Sequence, residues 1–229
     1  MISQVLAASD VLVRFGATTA VAGVDLEVAA SESVAIVGPS GSGKSSLMHC
    51  LAGLIVPTSG TVHLAGVDLG PCGPEQRAAL RRSSVGFVFQ FADLVPELSL
   101  LDNVALACEL IGSSRREAVQ DAGSALDRLG VGSLAARRPG QVSGGERQRA
   151  AVARALVHRP KVVFADEPTG ALDTENGTRV MDQLLEAASE AGAAVVVVTH
   201  DPAVARRCAR RLEMRDGRIE GTVAVASAP

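Results

Sequence analysis

Two short stretches of this chain carry residue types able to do phosphate chemistry. Gly38-Pro39-Ser40-Gly41-Ser42-Gly43-Lys44-Ser45 (GPSGSGKS) fits the pattern GxxxxGK[ST]. Glycines at these spacings let successive backbone N–H groups point inward at phosphate oxygens, and a helix starting at Lys44 adds its partial positive charge. Lys44 then reaches the β and γ phosphates, and the Ser45 hydroxyl is placed to ligate Mg²⁺. The second stretch, Val162-Val163-Phe164-Ala165-Asp166-Glu167, is four apolar residues running into two acids. Asp166 suits a Mg²⁺ ion held through its water shell, and Glu167 suits an attacking water that must be oriented or deprotonated. Each stretch alone has a plainer reading, a glycine-rich turn with a helix cap or acids solvated at a strand end. Together they point to Mg²⁺-dependent handling of a nucleoside triphosphate.

That chemistry requires a strand before each stretch. Val34 to Val37 is short and wholly apolar, and a helix is predicted from Lys44 to about Leu54. Val162 to Ala165 and Ala194 to Thr199 are apolar throughout, as strands buried on both faces of a parallel sheet are. In such sheets ligands bind at the carboxyl edge, where both acids would emerge. Thr61 to Leu64 and Val85 to Phe89 are further strands. Near the start, Val24, Leu26 and Val28 alternate with polar or small residues, and Val11, Val13 and Phe15 do the same, which predicts half-buried antiparallel sheet. Between residues 91 and 160 the pattern becomes helical over Leu101 to Ile111, Arg115 to Leu129 and Gly144 to His158. Gly112, Gly132 and Arg137-Arg138-Pro139-Gly140 break it. Leu212 to Arg215 and Arg218 to Glu220 flank Asp216-Gly217, a hairpin signal. The expected organisation is one domain over 1–229. It has an α/β core at about 1–90 and 160–221, an inserted helical lobe at about 91–159, and a loose tail at 222–229.

Bulk composition is that of a globular protein, with 47% hydrophobic and 21% charged residues and a net charge of -3. Without a basic excess, no nucleic-acid partner is expected. Cys50, Cys72, Cys108 and Cys208 form no CxxC, and the start of the chain shows no secretory signal, so the thiols are expected to be reduced and cytoplasmic. The longest apolar stretch, around Ala193 to Val198, falls well short of the about 20 residues of a membrane helix, so a membrane partner would be a separate polypeptide. Of the 22 basic residues only Lys44 and Lys161 are lysine. A lysine kept in the glycine loop despite this arginine bias suggests a need for a compact ammonium there.

Val142-Ser143-Gly144-Gly145-Glu146-Arg147-Gln148-Arg149 is more specific than either phosphate motif, and with it the sequence resembles the ATPases of ABC transporters. The same residues also read as a capping box, Ser143-x-x-Glu146, and both readings hold together. The other motifs of that family follow in order: Gln90 ending FVFQ, Ala171-Leu172-Asp173, and His200 in VVVTHD. The resemblance covers nearly the whole chain. It implies an α/β fold with a P-loop NTPase (RecA-like) core, an N-terminal antiparallel β subdomain and an inserted α-helical subdomain. It also implies that Gly38 through Ser45, with Ser46, hold the ATP phosphates. Gln90 joins Ser45 and Asp166 at Mg²⁺ and senses the membrane partner, Asp173 bridges two subunits, and His200 contacts the γ-phosphate beside Glu167 and Lys44. Ser143, Gly144 and Gly145 grip the γ-phosphate bound by the opposing subunit.

Plainer alternatives stand beside these roles. Asp173 is also placed to cap the following helix, and His49, His63 and His158 match no motif and read as structural. Phe15 falls where the family stacks an aromatic ring, usually tyrosine, on adenine; a core strand residue is the alternative. Phe87, Phe89, Phe91 and Phe164 lie in or beside core strands. Val142 replaces the usual leucine, and Glu146 stands where many members have glutamine.

ADEPTGALD, FQFADLVPELSLLDNV and LEMRDGR bring the sequence closest to the ATPases of lipoprotein-releasing and macrolide-exporting systems (the LolD/MacB type). The resemblance implies a nucleotide-sandwiched dimer, most simply a homodimer, peripheral on the cytoplasmic face of the membrane and coupled to a permease on another chain. Its cargo would be lipophilic or peptide-like. The alternative within the same family is an ATPase that drives a membrane complex regulating cell-wall enzymes during division, without transport.

Overall fold

The computed structural model describes residues 4–224. The chain opens with a long hairpin, β1 (Gln4–Phe15) and β2 (Thr18–Ala29), and continues into β3 (Ser33–Val37), the glycine loop and α1 (Lys44–Leu51). β4 (Ser59–Leu64), β5 (Val67–Asp68), α2 (Pro74–Ser84) and β6 (Val85–Phe89) follow. Three helices come next: α3 (Leu100–Glu109), α4 (Arg115–Arg128) and α5 (Gly144–Leu156). The last part alternates β7 (Val162–Asp166), α6 (Thr174–Glu190), β8 (Ala194–Thr199) and the short α7 (Pro202–Ala205) before the hairpin β9 (Arg210–Arg215) and β10 (Arg218–Ala224).

Two sheets result. The antiparallel one has the order β2-β1-β4-β5, and the second has the order β10-β9-β3-β8-β7-β6. All pairings from β9 to β6 in the second sheet are parallel, with β10 as an antiparallel edge. The two-residue period of its central strands divides their side chains between two cores. Val34, Ile36, Val162, Phe164, Val196 and Val198 face α1 and the antiparallel sheet. Ala35, Val163, Ala165, Val195 and Val197 face the layer of helices α3 to α6. Burial on both faces explains why these strands lack polar alternation.

The parallel order brings the carboxyl ends of four strands into one row. Val37 pairs with Thr199, Val198 with Asp166, and Asp166 with Phe89. The glycine loop, His200, the two acids and Gln90 thus leave neighbouring strands about 4.8 Å apart.

Some local expectations change. α1 ends at Leu51, before the predicted Leu54, where Gly53 turns the chain with φ 67. α2 has no counterpart in the sequence reading, because none of its residues is fully buried and it leaves no apolar stripe. The tail expected after Gly221 is paired strand through Ala224, opposite Leu212, Arg211 and Arg210; residues 225–229 of that tail lie outside the described residues. Phe15 does not continue the buried face of Val11 and Val13. A register irregularity between Val13 and Arg14 and the turn at Gly16 leave it 52% exposed, which removes the core-residue alternative. Phe91, expected beside the core strands, is 72% exposed.

Candidate functional site

The glycine loop is pressed between two backbones. A Cβ on Gly38 would lie 2.1 Å from the Met214 carbonyl oxygen, and one on Gly43 would lie 2.0 Å from that of Ala20. Gly43 also has φ 99, a conformation that L side chains resist. The β9–β10 turn braces the loop from outside, since Gly217 N–H donates to Ser42 O at 3.0 Å and Gly217 O accepts from Ala22 N–H at 2.8 Å. The hairpin signal at Asp216-Gly217 was legible in the sequence, but its contact with the loop was not. α1 begins at Gly43 without a side-chain cap and with no acid in its first turn. Its first N–H groups are therefore left for an anion, with the helix dipole behind them. Lys44 Nζ donates to Gly38 O and Pro39 O, both at 2.8 Å, so the ammonium lies across the loop. Pro39, Ser40, Gly41 and Ser45 are exposed, whereas the Ser42 hydroxyl is buried without a hydrogen-bond partner. Ser46, on the first turn of α1, is half-buried.

The two acids at the end of β7 differ in environment. Burial pushes the Asp166 carboxyl pKa up, opposed by His49, by the Ser45 hydroxyl and by Lys44. These influences place Asp166 against the start of α1. They also bring in His49, one helical turn after Ser45 and read from sequence as merely structural; its i+4 spacing was the available signal. Serine hydroxyl, aspartate and the Gln90 amide are hard oxygen donors, the set that suits Mg²⁺ when substrate phosphates complete the shell. Among the described residues no group of three or more His, Cys, Asp or Glu is placed to hold a metal ion.

Glu167 has φ 46, an uncommon conformation for a residue with a side chain, fixed by its N–H to Val198 O at 2.8 Å and by Gly170 N–H to its carbonyl at 3.0 Å. Its carboxylate is held from three directions. Thr199 Oγ1 donates to Oε2 at 3.0 Å, and His200 N–H donates to Oε1 at 3.0 Å. The His200 ring, protonated on Nδ1, donates to Oε1 at 2.6 Å. Thr199, fully buried and accepting from Asp201 N–H, is the positioning residue that sequence reasoning missed, although it immediately precedes His200. Gln90 lies against Gly170, where a Cβ would come within 2.8 Å of its Nε2.

Ser143 and Glu146 form the full capping box at the start of α5. Ser143 N–H and Oγ donate to Glu146 Oε2 at 2.7 and 2.8 Å, and Glu146 N–H returns to Ser143 Oγ at 3.3 Å. Gly144 and Gly145 pack on Leu172 and Asn176. Asp173 caps α6 through Asn176 N–H at 2.9 Å and Nδ2 at 2.6 Å. Among the described residues no hydrogen bond joins Ser143, Gly144 or Gly145 to the glycine loop, Glu167 or His200. The phosphate loop, the acids, Gln90 and His200 share one sheet edge, whereas the turn at Ser143 belongs to the start of α5. Phe15 lies at the β1–β2 turn, and β2 approaches the loop at Ala20. His158 is structural, its Nε2 3.1 Å from Val85 O, and His63 lies in β4, outside the site.

The family model described as ABC transporter matches residues 21–170. The lipoprotein-releasing system ATP-binding protein LolD of Shewanella sp. (strain MR-4) is 47% identical over 197 residues, 86% of this chain and 85% of that protein. LolD of Bordetella pertussis (strain Tohama I) is 48% identical over the same shares. Among solved structures, a dimeric post-hydrolysis state of the ATP-binding cassette MJ0796, bound to ADP and Pi, superposes with a TM-score of 0.87 at 34% identity, covering 97% of this chain and all of that one. The cassette cbiO1 of Clostridium perfringens gives 0.88 at 27% identity, over 97% and 89%. No helix among the described residues is long and apolar enough to cross a membrane. With its phosphate loop, paired acids and separate signature turn on one cassette fold, the chain belongs to the ABC transporter family.

Proposed function

We propose that this chain hydrolyses Mg²⁺-ATP as the cassette of a lipoprotein-releasing type of transporter, acting as a dimer beneath a separate permease at the cytoplasmic face of the membrane. The observation that carries the reading is the Glu167 carboxylate. It is fixed by Thr199 and His200 on the strand next to the phosphate loop, facing where a γ-phosphate held by Lys44 would sit. Mg²⁺ held by Ser45, Asp166 and Gln90 would neutralise charge on the β and γ phosphates. Glu167 accepts a proton from the attacking water or orients it, and His200 keeps that carboxylate in place and faces the γ-phosphate. Phe15, half-exposed beside the loop-facing strand β2, offers a ring face for adenine. Ser143, Gly144 and Gly145, which make no hydrogen bond to their own loop among the described residues, act on the nucleotide of the opposing subunit, and Asp173 lies at that junction. The lipoprotein cargo rests on the names of the relatives.

A groove lined by Phe87, Phe89, Ala107 and Leu110, with Arg81 and Arg82 on its rim, gives the permease an amphipathic seat beside Gln90. Glu167→Gln tests the mechanism. Steady-state hydrolysis should fall by about 100-fold or more, the scale of a general base, and ATP should trap a dimer in size-exclusion chromatography. Hydrolysis at the parent rate by a variant that stays monomeric in ATP would overturn it.

A further inference from the structure

The segment following β6 contains two consecutive non-glycine residues in the left-handed region, Ala92 at φ 65 and Asp93 at φ 45. Such a pair persists where surrounding groups fix it. Here the fixing group is Arg154 on α5, whose side chain is half-buried. Its two terminal nitrogens donate to Asp93 O at 2.6 Å and Ala92 O at 2.9 Å. On the other side of Gln90, the buried Gln148 of the same helix donates from Nε2 to Phe89 O at 2.8 Å. α5 and β6 are in direct backbone contact, since a Cβ on Gly86 would come within 2.2 Å of Ala155 O. The backbone is therefore gripped before and after Gln90 by one helix, the helix that begins at Ser143.

We infer that Arg154, with Gln148, is a positioning residue that sets the Gln90 amide through its flanking carbonyls, so that Gln90 follows any movement of the signature helix. The guanidinium fork is needed because two adjacent carbonyls must be held at once, which a lysine cannot do in a fixed plane. The inference rests on the proposed role of Gln90 at the nucleotide, and the test separates the two.

Arg154→Lys keeps the charge and removes the fork. In the nucleotide-free protein, amide exchange over residues 90–95 should speed up by about 10-fold, the equivalent of one lost charged hydrogen bond, while residues 38–46 are unchanged. With ATP, kcat should fall by about 10-fold or more at nearly unchanged KM, as expected when a reacting geometry is loosened. Adding Arg154→Lys to Gln90→Ala should cause no further loss of kcat, because one acts through the other. Gln148→Met, which removes the second contact at similar length, should show the same pattern more weakly. Unchanged exchange over 90–95 in both variants, or an additive loss in the Gln90→Ala background, overturns the inference. A Gln90→Ala variant with parent kcat instead overturns the role given to Gln90, and the exchange measurement still judges the clamp.

Discussion

The chain contains two glycine-bearing helix starts, both given a part at the nucleotide in the proposed function, and they are built in opposite ways. α1 starts at Gly43 with no side-chain cap and no acid in its first turn, and its glycines are wedged against the carbonyls of Met214 and Ala20. α5 starts at Ser143 with a complete capping box and an acid in its first turn. The first leaves its N–H groups to an anion and depends on neighbouring strands for its shape. The second satisfies itself and presents a hydroxyl and two glycines from a helix that is stable beforehand. A site that binds its own nucleotide needs free donors. A turn that meets a nucleotide only when a second subunit arrives has to keep its shape alone.

The sharpest way to break this contrast is Gly43→Ala. The new methyl group would collide with Ala20 O, so ATP affinity should fall by about 100-fold or more, and the melting temperature should fall with it. Isothermal titration and thermal denaturation read the two effects, and unchanged affinity would show that the wedge does not shape the loop. Ser143→Ala should act differently. Loss of the cap should destabilise the protein by about 1 kcal/mol. ATP binding by a single subunit should stay near the parent value, while hydrolysis in the dimer falls by about 10-fold, the worth of a lost charge-assisted hydrogen bond. Equal losses in both assays would erase the division between the two helix starts.

The smallest effect concerns pH. Ser143 holds the Glu146 carboxyl below its ordinary range, chiefly through the backbone hydrogen bond. Since the folded-state pKa is the lower one, this cap is fully present above the unfolded pKa and is lost as pH falls through the folded value. Amide exchange in the first turn of α5 should accelerate in acid, and Glu146→Gln, which keeps the box without the charge, should abolish that dependence.

Spacing carried most of the candidate site into view. Lys44 and Ser45 follow three glycines, Asp166 and Glu167 end an apolar run, and Ser143 to Gly145 precede a helix, so local chemistry marked each. What remained hidden had either no periodicity or a partner distant in the chain. α2 lies on the surface without a fully buried residue, so the apolar pattern was silent. Phe15 kept the alternation of its strand, yet an irregularity one residue earlier turned it outward. Thr199 read as one more β-branched residue of a buried strand, and its hydroxyl gains meaning only through Glu167, 32 positions away.

The sequence by itself determined the chemistry, because helix starts, strand ends and phosphate donors depend on neighbours within a few residues. Tertiary structure decided which of these pieces meet. The order β3-β8-β7-β6 sets the loop, His200, Glu167 and Gln90 side by side. The same fold places α5 against β6 so that Arg154 reaches Ala92 and Asp93. Those contacts join residues more than sixty positions apart, where no local pattern survives and the packing of strand against helix alone fixes the distance.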